Sequence, residues 1–119
     1  MYSIKVEAYF SSAHYLRGYK GKCEELHGHN WKVEVNVETP GLDKTGMVMD
    51  FKDVKTRLGG ILEKLDHKCL NKLDYFKKFN PTSENIAKYI YDNLKAKTPG
   101  LKLVTVWESH NCCASYYER

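Results

Sequence analysis

A chain of 119 residues, 42% hydrophobic and 29% charged, is sized for one core and leaves no room for a second domain. No run of 18 apolar residues occurs, and the first residues, Met1-Tyr2-Ser3-Ile4-Lys5-Val6-Glu7, alternate with charges, so neither a membrane span nor a signal peptide is expected and the expected location is the cytoplasm. Nineteen Lys and Arg against fifteen Asp and Glu give +4, with no basic block longer than Lys77-Lys78: too diffuse for a nucleic-acid stripe, but suited to an anionic small molecule.

Ile4, Val6, Ala8 and Phe10 alternate with Lys5, Glu7 and Tyr9, which predicts a half-buried strand. Trp31, Val33, Val35 and Val37 alternate with Lys32, Glu34, Asn36 and Glu38 in a second strand, ended by Pro40-Gly41. A loop carrying Gly18, Lys20, Gly21 and Lys22 joins the two as a long hairpin. Asp50 is placed to cap a helix running to about Leu65, with Phe51, Val54, Leu58, Ile61, Leu62 and Leu65 on one face. Asn80-Pro81-Thr82-Ser83-Glu84 opens a second helix through Ile86, Ala87, Ile90, Tyr91 and Leu94, and Pro99-Gly100 closes it. Leu101 to Glu108 and Cys113 to Glu118 read as two further strands around a turn at Ser109-His110-Asn111. The order ββααββ predicts an α+β domain over residues 1–119: one antiparallel sheet with both helices on one face.

His14, His27 and His29 flank the loop of the first hairpin. His27 and His29 continue the parity of Trp31 to Val37, and His14 continues that of Ile4 to Phe10, so all three imidazoles are expected on the apolar face of the hairpin. Three such imidazoles form the ligand set of a catalytic zinc with one open position. Cys23, four residues before His27, either closes a Cys-His₃ structural site or stands beside an open one as a base or nucleophile. The alternative is a core histidine beside a surface turn, with an inert thiol. No Cys-x-x-Cys pair occurs, so reduced cysteines are expected, and Cys69, Cys112 and Cys113 are expected to be unreactive buried thiols. Asp66-His67 is either a carboxylate orienting an imidazole or a helix end complementing its dipole. Glu108, with the parity of Val104 and Val106, is either a buried carboxylate needing a partner or a solvent-exposed strand end.

These residues and their surroundings resemble the 6-pyruvoyltetrahydropterin synthase family, within it the bacterial 6-carboxytetrahydropterin synthase branch. The resemblance runs nearly end to end through Phe10-Ser11-Ser12-Ala13-His14, Cys23-Glu24-Glu25-Leu26-His27-Gly28-His29-Asn30, Gly46-Met47-Val48-Met49-Asp50-Phe51, Leu65-Asp66-His67-Lys68-Cys69-Leu70-Asn71, Asn80-Pro81-Thr82-Ser83-Glu84-Asn85 and Trp107-Glu108. It implies a tunnelling fold whose subunits assemble into a barrel, as a hexamer made of a dimer of trimers, with sites at subunit interfaces. It implies Zn²⁺ held by His14, His27 and His29, Cys23 as catalytic base, and Asp66 and His67 as its relay. Glu108 would anchor the pterin ring, with Thr82 and Ser83 also contacting it. The implied reaction converts 7,8-dihydroneopterin triphosphate to 6-carboxy-5,6,7,8-tetrahydropterin, releasing acetaldehyde and triphosphate on the route to queuosine. The Cys-x-x-x-His-Gly-His spacing follows the carboxy branch. The alternatives are 6-pyruvoyl synthase activity on the same substrate and, from another class, a non-catalytic zinc-binding interaction domain. Arg17, Lys20 and Lys22 are candidate triphosphate contacts or solvated loop charge. Neither nucleic acid nor membrane is expected as a partner.

Overall fold

The computed structural model describes residues 1–21 and 24–119, so Lys22 and Cys23 lie outside the described residues. Strands β1 (Tyr2–His14) and β2 (His27–Thr39) pair antiparallel in unbroken register, from Tyr2 opposite Thr39 to His14 opposite His27. Period-two alternation drives this pairing: Val6 and Phe10 of β1 and Trp31, Val33, Val35 and Val37 of β2 are all buried on one face. Helix α1 (Phe51–Leu62) is capped by Asp50, whose carboxylate accepts from the Lys52 N–H at 2.8 Å. It ends three residues before Leu65, because the backbone tightens: Lys64 and Leu65 donate to Ile61 and Leu62, three residues back. Leu65 stays fully buried.

Two short elements extend the expected order. Strand β3 (Lys68–Cys69) lies parallel to β1 at Ser12 and Ala13, so an otherwise antiparallel sheet carries one parallel edge. Helix α2 (Asp74–Lys78) follows and buries Phe76. At two and five residues, neither is long enough to display a period in the sequence. Helix α3 (Ser83–Leu94) begins at Thr82, whose hydroxyl accepts from the Asn85 N–H at 3.1 Å. Strands β4 (Leu101–Ser109) and β5 (Cys112–Tyr116) complete the sheet in the order β3-β1-β2-β4-β5.

Val54, Leu58 and Leu62 of α1 and Ile86, Ala87, Ile90 and Leu94 of α3 bury against the apolar sheet face. Each fully buried Val, Leu or Ile side chain contributes about 1.5–3 kcal/mol relative to exposure. The opposite face is polar: Lys32 Nζ lies 3.4 Å from both Glu7 and Glu34 carboxylates, and the Trp107 indole N–H donates to Glu34 at 3.0 Å. Gly100, with φ 84°, accepts from the Glu38 N–H at 2.8 Å where β4 meets β2; a Cβ there would overlap the Glu38 carbonyl. No helix among the described residues is long and apolar enough to cross a membrane.

Candidate metal centre

The hairpin register brings the histidines together. His14 ends β1 directly opposite His27 at the start of β2, and His29 lies opposite Ser12. With parity unbroken, the three rings meet at the open end of the hairpin: centroids are 4.6 Å apart for His14 and His27, 5.1 Å for His14 and His29, and 4.9 Å for His27 and His29. Trp31 forms the wall behind them, its ring 4.9 Å from His14 and 5.1 Å from His29 and stacked on Phe10.

Backbone carbonyls set two of the tautomers. His14 Nδ1 is 2.7 Å from the Pro81 carbonyl and His27 Nδ1 is 2.7 Å from the Glu25 carbonyl. A carbonyl only accepts, so each Nδ1 carries the proton and each Nε2 presents a lone pair. Burial holds the pKa of His14 and of His29 below the ordinary histidine value, favouring the neutral imidazoles that metal binding requires. The Nε2 atoms of His14 and His29 are buried and make no hydrogen bond. Orphaned buried nitrogens of this kind call for a partner.

Glu108 completes the cluster. It is the extra residue of a β-bulge, since Trp107 pairs with Cys113 and Ser109 with Cys112. Its Oε1 lies 3.4 Å from His14 Nε2 and 3.2 Å from His29 Nε2, and one donor atom from each of the four side chains lies within 4.8 Å of the others. Neighbouring ligand atoms of a tetrahedral zinc, at about 2.0 Å from the ion, are about 3.3 Å apart. The residues therefore fit a zinc-type ion, with three nitrogen donors and a carboxylate at hand.

The other expected site residues are placed separately. Asp66 and His67 do pair, at 3.0 Å, but at the β1 edge and outside the four-residue cluster. Asp66 Oδ1 accepts from the Ser11 N–H at 2.8 Å, and His67, with φ 55°, donates its N–H to the Ser11 carbonyl at 2.6 Å. That Ser11 bond, with His67, lowers the Asp66 pKa. The His67 side chain is 83% exposed. His29 and His67 both line an open hollow of about 460 Å³ across the hairpin end. Thr82 is engaged as the α3 cap, and Ser83 begins that helix, half-buried. Arg17 donates to the Phe76 carbonyl at 2.6 Å, while Lys20 is exposed. The catalytic role expected of Cys23, and the triphosphate contact expected of Lys22, fall outside the described residues. Cys69, Cys112 and Cys113 are free thiols, but not buried as expected: Cys69 is half-buried, and Cys112 and Cys113, on the edge strand β5, are exposed. Sequence reasoning did not single out the carbonyls of Pro81 and Glu25, which carry no residue-type signal, or the part played by Asn71 and Asn80.

The family model for 6-pyruvoyl tetrahydropterin synthase matches residues 3–119, and the chain belongs to that family. Among curated relatives, a dihydroneopterin monophosphate aldolase of Pyrococcus furiosus is 41% identical over 110 residues, covering 90% of each chain. A 6-carboxy-5,6,7,8-tetrahydropterin synthase of Synechocystis is 40% identical over 123 residues, covering 98% of this chain and 94% of that one. The solved structure of Caenorhabditis elegans 6-pyruvoyl tetrahydropterin synthase superposes with a TM-score of 0.90 at 28% identity, covering 99% of this chain and 96% of that one.

Proposed function

We propose that this chain is a zinc-dependent lyase acting on 7,8-dihydroneopterin triphosphate, giving 6-carboxy-5,6,7,8-tetrahydropterin, acetaldehyde and triphosphate, in the cytoplasmic route to queuosine. The observation that carries the reading is the convergence of His14, His27 and His29, two of them fixed by carbonyls with Nε2 facing the cluster. His14, His27 and His29 would hold the metal. When bound, zinc supplies Lewis acidity toward the negative charge that develops on side-chain oxygens of the substrate. Cys23 would take a side-chain proton, and Asp66, hydrogen-bonded to the His67 imidazole, would orient that ring for proton relay. Glu108, with Thr82 and Ser83 nearer the α3 start, would hold the pterin ring so that the reacting carbon meets the thiolate.

The position of Asp66 and His67 outside the imidazole cluster supports a site shared between subunits. Among the described residues, β3 covers only Ser12 and Ala13 of the β1 edge, and β5 is the other edge of the sheet. Both suit closure by neighbouring copies into a barrel, as a hexamer.

The Pyrococcus relative supports a second reading, aldol cleavage of the monophosphate by the same residues. Incubation of zinc-loaded protein with each pterin, followed by mass-spectrometric product identification, separates the readings. The triphosphate should yield 6-carboxytetrahydropterin and acetaldehyde, and Cys23→Ala should yield neither. A 6-pyruvoyl product, or cleavage of the monophosphate alone, overturns the assignment; no turnover of either favours a zinc-binding interaction domain.

A further inference from the structure

The β1 strand loses its neighbours just where the site begins. Past His14 the chain runs through Tyr15, Leu16 and Arg17 toward Cys23, six residues beyond Arg17. Two side-chain amides take the place of a paired strand. Asn71 accepts from the Tyr15 N–H at 3.0 Å and donates to the Tyr15 carbonyl at 2.9 Å. Asn80 repeats the pattern two residues on, accepting from the Arg17 N–H at 3.0 Å and donating to the Arg17 carbonyl at 2.8 Å. A side-chain amide offers a donor and an acceptor side by side, matching the carbonyl and N–H of one main-chain residue.

Both amides are themselves held. Asn71 is 6% exposed and sits just after β3, which pairs with β1 at Ser12 and Ala13. The Asn80 carbonyl accepts from the Asn85 side chain at 2.9 Å, and the neighbouring Pro81 carbonyl accepts from His14. One stretch, from Asn71 to Asn85, thus grips both a candidate metal ligand and the stem that leads from it to the thiol. Neither residue belongs to the metal cluster, and amides neither bind zinc well nor move protons at neutral pH, so their use here is geometric.

We propose that Asn71 and Asn80 are positioning residues for the lyase reaction: paired with the main chain of Tyr15 and Arg17, they fix the Tyr15–Arg17 main chain, which joins His14 to Cys23 in sequence, relative to the imidazole cluster. The proposal rests on the lyase reading above.

The test compares zinc-loaded wild type with Asn71→Ala, Asn80→Ala and Asn80→Asp by zinc content, kcat and KM. Asn80 is the less buried of the two and serves where Asn71→Ala fails to fold. The expected result is retained zinc, KM within about twofold, and kcat lower by about ten- to a hundredfold, the scale of a misplacement near 1 Å. Asn80→Asp keeps the acceptor for the Arg17 N–H but sets a carboxylate oxygen against the Arg17 carbonyl, and should recover none of the loss. An unchanged kcat in folded Asn80→Ala, or a loss of zinc that accounts for the whole fall, overturns the proposal. If wild type itself does not turn over, the lyase reading fails; the positioning claim is then read from the pH dependence of Cys23 alkylation, followed by peptide mass spectrometry. A profile altered in Asn80→Ala sustains it, and an identical profile refutes it.

Discussion

The Glu108 carboxylate stands 3.2 Å from His29 Nε2, brought there by a β-bulge in β4. Two roles are compatible with that position, ring anchor and fourth metal donor, and Glu108→Gln separates them. As an anchor, Glu108→Gln should retain one zinc per chain and weaken affinity for a pterin product analogue by about tenfold or more, the scale of a charge-assisted hydrogen bond. A fall in zinc affinity with unchanged analogue affinity would assign the carboxylate to the metal.

Asp66 carries a pH signature. Its folded-state pKa is depressed by the Ser11 N–H and by His67, so its stabilisation is present in full above the unfolded carboxylate value of about 3.9 and is lost as pH falls through the lower folded value. Wild type should therefore exceed Asp66→Asn in stability at pH 6, with the gap closing below about pH 4. Urea unfolding at both pH values checks this, and a constant gap would mean that the carboxylate charge contributes nothing.

The Thr82 hydroxyl accepts from the Asn85 N–H and caps α3. Thr82→Ala should cost about 1 kcal/mol, and Thr82→Ser should restore most of it. Thermal melts of the two variants test the cap; equal melting temperatures for wild type and Thr82→Ala would remove it.

Gly100 should not tolerate a side chain. Gly100→Ala places a Cβ against the Glu38 carbonyl in a left-handed conformation, which alone costs about 1–2 kcal/mol. Chemical denaturation should show a lower midpoint at an unchanged slope, and wild-type stability would contradict the contact.

Much of this was legible in the sequence, because period-two alternation fixes which face a strand residue takes. The parity of His14 with Phe10, and of His29 with Trp31, carried the imidazoles to the buried face without any knowledge of the turn between them. Glu108 was legible by the same rule only as a carboxylate either buried or at an exposed strand end, and it is half-buried; its approach to the histidines needed the β2–β4 pairing, which no local pattern encodes. Asp66 and His67 were visible as a pair, and their clamp on Ser11 was not, since it joins groups 55 residues apart through the main chain. The tautomers of His14 and His27 were likewise hidden, because carbonyls of Pro81 and Glu25 set them.

The most direct test is calorimetric titration of metal-stripped protein with zinc, for wild type and for His14→Ala, His27→Ala and His29→Ala. One site per chain is expected in wild type and a loss of at least about tenfold in affinity in each variant, with the folded state kept in His27→Ala, whose ring is only partly buried. Wild-type zinc affinity in any of the three would contradict the three-histidine centre.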